Sequence, residues 1–119
     1  DSGGTSTLPR LNGLQRASAL MMLGDKVSAA DALQMGMLYK VFPIDTFVEE
    51  SKKIVQKLAK MPTKALGMTK ILLNESIKNS LKQQLELEGR YQELASHTED
   101  YKEGVDAFLE KRKPTFKGK

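Results

Sequence analysis

Asp1-Ser2-Gly3-Gly4-Thr5 puts a carboxylate directly ahead of two glycines, and Leu8, Pro9, Arg10 and Leu11 follow. A carboxylate can take or return a proton. Glycines let the backbone approach a ligand closely, or adopt φ values that other residues avoid. Backbone N–H groups at a helix start attract anions and developing negative charge. The chemistry open to this set is proton transfer on a substrate whose negative charge is held by backbone amides. The same residues also suit a helix cap or a frayed chain terminus.

Other reactive residues are few. His97 is the one histidine, flanked by Ser96 and Thr98 at an expected helix end. It has no aspartate and nucleophile spaced to form a triad, and no companions for a metal site. It reads as a solvent-facing or helix-capping residue. Lys111-Arg112-Lys113 closes the expected last helix, where cations complement the helix dipole. Such a cluster equally suits a phosphate-bearing ligand.

These residues are carried by a chain of 119 residues with no cysteine and a net charge of +4. That length gives one domain with a modest core. Without cysteine there is no disulfide or thiolate metal site, and a reducing compartment fits. The expected location is cytoplasmic. No apolar run approaches ~18 residues, so no membrane span is expected. The charge is uneven: residues 1–50 hold 4 Lys/Arg against 6 Asp/Glu, and residues 51–119 hold 15 against 9. The lysines of the basic part are scattered among glutamates with few aromatics to stack bases, so a solvated surface is expected rather than a nucleic-acid site. The first residue is not Met, which suits a piece of a longer protein.

The periodicity predicts helices nearly throughout. Leu8, Leu11 and Leu14 mark a short first helix with Pro9 near its start, broken at Asn12-Gly13. Leu14 to Leu23 carries an apolar stripe and stops at Gly24. Ser28-Ala29-Ala30-Asp31 has the form of a capping box, for a short helix ended by Gly36. Leu38 to Phe42 alternates and suits one short strand or extended crossing, ended by Pro43. Asp45 is placed to cap a long helix, and Pro62 suits the first turn of the next. A break falls among Asn74, Ser76, Asn79 and Ser80, before a charged helix from Leu81 to Ala95. Thr98 caps the tail helix, where Tyr101, Val105, Phe108 and Leu109 share one apolar face. Burial of each side chain on that face would contribute roughly 1.5–3 kcal/mol.

Two stretches carry a family resemblance. Asp1 to Arg10, followed by Gly13, Ala17, Leu20, Gly24, Ala29, Ala32, Gly36 and Val41, resembles the enoyl-CoA hydratase/isomerase (crotonase) superfamily. Asp100 to Gly118, including Ala107-Phe108-Leu109-Glu110-Lys111-Arg112-Lys113-Pro114-Thr115-Phe116, resembles that family's C-terminus. The resemblance covers nearly the whole chain and matches the second half of such a protein. It implies a mainly α structure: the C-terminal helical region of a crotonase-like α/β fold, with at most one short strand near 38–42. Residues 1–43 would end the crotonase core at the active-site edge. Residues 44–119 would form a helical oligomerisation region and the C-terminal helix.

The resemblance also implies a chemistry. Crotonase-like enzymes bind acyl-CoA thioesters, polarise the thioester carbonyl with two backbone N–H groups and move a proton with carboxylates. Hydratases use a glutamate pair that would lie upstream of Asp1. Isomerases of dienoyl-CoA and of phenylacetate ring-epoxide CoA have an aspartate base at the place of Asp1. The isomerase branch is therefore favoured, in fatty-acid or aromatic-acid CoA thioester metabolism. Asp1 would be the catalytic base. Ser2, Gly3, Gly4, Leu8, Phe108, Lys111 and Phe116 would contact the acyl group or the CoA. No metal and no cofactor is implied beyond the CoA of the substrate. The expected partners are an acyl-CoA thioester and further copies of the chain: a trimer or hexamer in the longer protein, a dimer or trimer for these residues alone. The 119 residues alone would be inactive. Two alternatives stay open: a non-catalytic helical oligomerisation module, and a general helical binding domain.

Overall fold

A computed structural model describes residues 2–119, and Asp1 lies outside the described residues. The described residues form seven helices in sequence: α1 (Gly4–Asn12), α2 (Leu14–Leu23), α3 (Ala29–Gln34), α4 (Phe47–Ala59), α5 (Thr63–Ser76), α6 (Leu81–Ser96) and α7 (Glu99–Leu109). Among the described residues there is no strand, and Leu38 to Phe42 runs as irregular chain. Alternation makes a strand only where another strand accepts its hydrogen bonds, and none does so here. The chain divides into two compact units, one ending at Val48 and the other beginning at Glu49.

In the first unit α1 packs on α2. Gly13 joins them at φ +79°, its N–H donating to the Pro9 carbonyl and its carbonyl accepting from Ala17. The turn is tight, and Ala17 behind it is almost fully buried. The expected place of Pro9 needs correction. Helix α1 begins at Gly4, so Pro9 lies inside it, where its missing N–H removes one helical bond. The amide of Asn12 donates to the Met35 carbonyl at 2.6 Å, tying the end of α1 to the end of α3. Ser28 caps α3 by accepting the Asp31 N–H. Gly36, at φ +80°, ends it: its N–H reaches the Leu33 carbonyl and the Met37 N–H reaches that of Ala32. This is the Schellman arrangement, which the glycine makes possible without strain.

In the second unit α5 packs on α6, and α6 on α7. Ser80 and Gln83 form a full capping box at the start of α6. Gln84 links the α5–α6 corner, donating to the Leu72 carbonyl and accepting from Asn79. Helix α4 begins at Phe47, after a turn from Pro43 to Thr46 in which the Thr46 N–H and hydroxyl both bond the Pro43 carbonyl. One start differs from expectation. Pro62 occupies the cap position of α5 rather than its first turn.

Most apolar side chains are not buried within the chain. Among the described residues the buried set is Ala17, Ala32, Thr98, Asp100 and Ala107. Leu14, Val48, Leu73, Leu81 and Phe108 each expose more than half of their surface. The helical periodicity is present, but the faces it marks are open. No helix among the described residues is long and apolar enough to cross a membrane.

Candidate functional site

The start of α1 carries the first group of expected site residues. Ser2 and Gly3 are both left-handed, at φ +54° and +81°. Gly3 stands at the cap position of α1 with no side-chain cap, and its carbonyl accepts the Ser6 and Thr7 N–H groups. Gly3 therefore needs its glycine for backbone reasons. Gly4 is helical, and a Cβ there would meet only the Met21 methyl at an ordinary 3.5 Å. Leu8, in the middle of α1, is half-buried. Asp1, the expected base, lies outside the described residues.

The second group lies in the second unit. A groove of about 500 Å³ is lined by Pro62, Ala65, Ala95, Thr98, Asp100, Tyr101, Gly104, Val105, Phe108, Leu109 and Phe116. Its lining is almost wholly apolar. The apolar face of α7 thus faces open space, with Tyr101 46% and Phe108 82% exposed. Phe108 and Phe116 share this groove, and Lys111 does not line it. His97 is exposed at the C-terminal cap of α6 and lines a second pocket with Lys64 and Lys119.

The basic cluster is placed differently from expectation. Helix α7 ends at Leu109 with Glu110 as its cap, so Lys111, Arg112 and Lys113 lie beyond it. The end is again a Schellman arrangement: the Lys111 N–H reaches the Phe108 carbonyl and the Arg112 N–H reaches that of Ala107. The left-handed position falls on Lys111, at φ +54°. The Arg112 guanidinium grips both oxygens of Glu103, at 2.6 and 2.9 Å, and also reaches Glu110. It is engaged with two carboxylates of the chain.

Lys111→Gly tests the backbone cost. A side chain in the left-handed region costs roughly 1 kcal/mol, which glycine avoids. Urea unfolding followed by circular dichroism is expected to show a gain of about 1 kcal/mol. An unchanged or lowered midpoint would contradict it.

Two carboxylates that residue types did not single out hold the terminal segment. Asp100, 3% exposed, accepts the Lys117 and Gly118 N–H groups at 2.6 and 2.8 Å. Glu103 accepts the Thr115 N–H at 2.7 Å besides binding Arg112. Asp100 reads in sequence as a first-turn acid complementing the helix dipole. Its sequence gives no sign that the chain returns to it 17 residues later. Gly118 is a required glycine, at φ +75° with the Thr63 hydroxyl 2.6 Å from where a Cβ would stand.

The Arg112 guanidinium, and then the Thr115 N–H, hold the Glu103 carboxyl down at about 2, from an ordinary 4.5. Because the folded value is the lower one, this clasp contributes fully above pH 4.5. It is lost as pH falls from 4.5 through about 2. The Thr115 amide resonance is expected to titrate near the lower end of that window. A midpoint at the value of an unpaired glutamate would show that the pair does not form.

The family model of enoyl-CoA hydratase/isomerase matches residues 1–119. The chain is 44% identical over its whole length to 1,2-epoxyphenylacetyl-CoA isomerase of Escherichia coli K12, of which it covers 45%. It is 36% identical over 118 residues to 2,3-dehydroadipyl-CoA hydratase of the same organism, covering 46% of that protein. The fold superposes on an enoyl-CoA hydratase structure from Geobacillus kaustophilus HTA426 with a TM-score of 0.96 at 35% identity, over all of this chain and 46% of that one. The chain therefore spans about half the length of the curated relatives it matches. By its sequence along all 119 residues and by its helical fold, the chain belongs to the enoyl-CoA hydratase/isomerase family, the crotonase superfamily.

Proposed function

We propose that this chain is the C-terminal part of an acyl-CoA-processing enzyme that isomerises a CoA thioester. The observation that carries the reading is the 44% identity to a 1,2-epoxyphenylacetyl-CoA isomerase across the whole chain. A carboxylate at Asp1, directly before Ser2-Gly3-Gly4, supports isomerisation over simple hydration. Family membership also favours an enzyme over a non-catalytic helical module. In this reading Asp1 is the general base, and Ser2, Gly3, Gly4 and Leu8 shape the wall beside the acyl group. Phe108, Lys111 and Phe116 contact the CoA, which is part of the substrate. No separate cofactor or metal takes part. Residues 1–43 edge the active site, and residues 44–119 carry the oligomer contacts and the tail.

The test is turnover. A polypeptide carrying this chain together with the other half of its relatives' length is expected to isomerise an enoyl-, dienoyl- or ring-epoxide CoA thioester. Failure on all three classes would defeat the reading.

The open apolar faces bear on assembly. Large exposed apolar patches drive association. Leu58, Leu73, Leu81 and Leu94 are each close to half exposed or more. The chain alone is expected to form a dimer or trimer through residues 45–95, and the longer protein a trimer or hexamer. A monomer in sedimentation at micromolar concentration would contradict the first of these.

A further inference from the structure

Asp100 and Glu103 stand three positions apart on α7, so their side chains leave the same side of the helix. Both take backbone groups of the terminal segment. The Asp100 oxygens accept from Lys117 and Gly118, and its own N–H donates to the Lys119 carbonyl at 3.1 Å. Glu103 accepts from Thr115 and pairs with Arg112. Between these anchors lies Phe116, half-buried. Its ring comes within 3.6 Å of where a Cβ on Gly104 would stand. The same ring lines the apolar groove with Tyr101 and Phe108. Terminal segments fray unless something ties them. Here the tie includes a carboxylate that is 3% exposed, and burying a charge is unfavourable unless it is fully hydrogen-bonded.

We propose that Asp100 and Glu103 are positioning residues that clasp the terminal segment so that the Phe116 ring is fixed as a wall of the groove that receives the CoA thioester. The proposal rests on the reading that Phe108 and Phe116 contact the CoA. It adds that their placement is set by two carboxylates that never touch the ligand. The ring is then already ordered when ligand arrives, and binding does not have to supply the cost of ordering it. Loss of the clasp weakens substrate binding and leaves the proton-transfer step alone.

The experiment uses the longer catalytic polypeptide and two readouts, amide hydrogen exchange in the terminal segment and steady-state kinetics on an acyl-CoA thioester that the wild type turns over. Asp100→Asn keeps the size of the side chain but replaces one acceptor oxygen with a donor. It is expected to speed exchange at Lys117 and Gly118 and raise KM, each about 10-fold, with kcat nearly unchanged. Gly104→Leu leaves both carboxylates in place and intrudes where the ring lies, and is expected to raise KM in the same way. Should Asp100→Asn fail to fold, Glu103→Gln serves instead. Its site is less buried, and it is expected to speed exchange at Thr115 and raise KM by about 3-fold. Faster exchange with an unmoved KM overturns the proposal, since the position of the ring then does not matter to the substrate. Exchange as slow as in the wild type overturns it as well, since the carboxylates then do not hold the segment. A fall in kcat at constant KM also counts against it. Wild-type protein that turns over no acyl-CoA thioester defeats the functional reading instead, and with it the role given to Phe116, whatever the exchange rates show.

Discussion

Purified as these 119 residues alone, the chain is expected to turn over no enoyl-, dienoyl- or ring-epoxide CoA thioester. The physical reason is the division of labour in the proposed site. A base removes a proton beside a thioester only if the resulting enolate is stabilised, and in this family two backbone N–H groups do that. The chain matches 45% of its 1,2-epoxyphenylacetyl-CoA isomerase relative, and the family resemblance puts half of the oxyanion hole in the remainder. Removing even one oxyanion-hole donor typically lowers kcat by about 10²–10³-fold. Here the substrate would also lose the contacts that orient it, so a base acting alone faces an almost unchanged barrier. The check is a product assay at high chain concentration, on material shown by mass spectrometry to hold no longer form. A rate proportional to the concentration of the 119-residue chain would refute the expectation.

The second large effect belongs to Asp1→Asn in the longer protein. Asparagine keeps the size and shape of aspartate and removes its ability to take a proton. General base catalysis is typically worth ~10²–10⁴-fold, and a loss of that size is expected in kcat. KM should move little, because the proposed CoA contacts at Phe108, Lys111 and Phe116 belong to the other end of the chain. The substitution separates two readings of the same residue. As a helix cap Asn serves about as well as Asp, so a capping role predicts nearly unchanged rate and stability. Alanine would disturb both roles together and distinguish neither. Wild-type kcat on every CoA thioester that the protein accepts would end the assignment of Asp1 as base.

The two experiments inform each other. If the chain alone is silent and Asp1→Asn silences the longer protein, the chain contributes the base while groups the reaction also needs, half of the polarising amides among them, come from elsewhere. If the longer protein keeps its rate with Asn at position 1, the carboxylate that moves the proton lies outside these residues. The chain then contributes binding and assembly.

The sequence by itself determined the local structure. Ser28, Ser80 and Thr98 cap helices because each side-chain oxygen accepts a nearby backbone N–H. Gly13, Gly24 and Gly36 end or join helices because they tolerate positive φ. These signals act over three or four residues and need no tertiary partner. The apolar periodicity of α7 was legible too, as was the family through its two terminal stretches. Tertiary structure decided which of those faces is covered. Periodicity marks a face as apolar, but burial depends on what packs against it, and Phe108 and Leu109 are left open. It also decided the fate of the charges. Arg112 serves Glu103, and Asp100 holds Lys117 and Gly118, through contacts that close only when the chain turns back along α7. The turn-back depends on Lys111 taking a left-handed conformation that its residue type does not favour. No local rule could have placed those partners, because they are 9 to 18 residues apart and meet only through the fold.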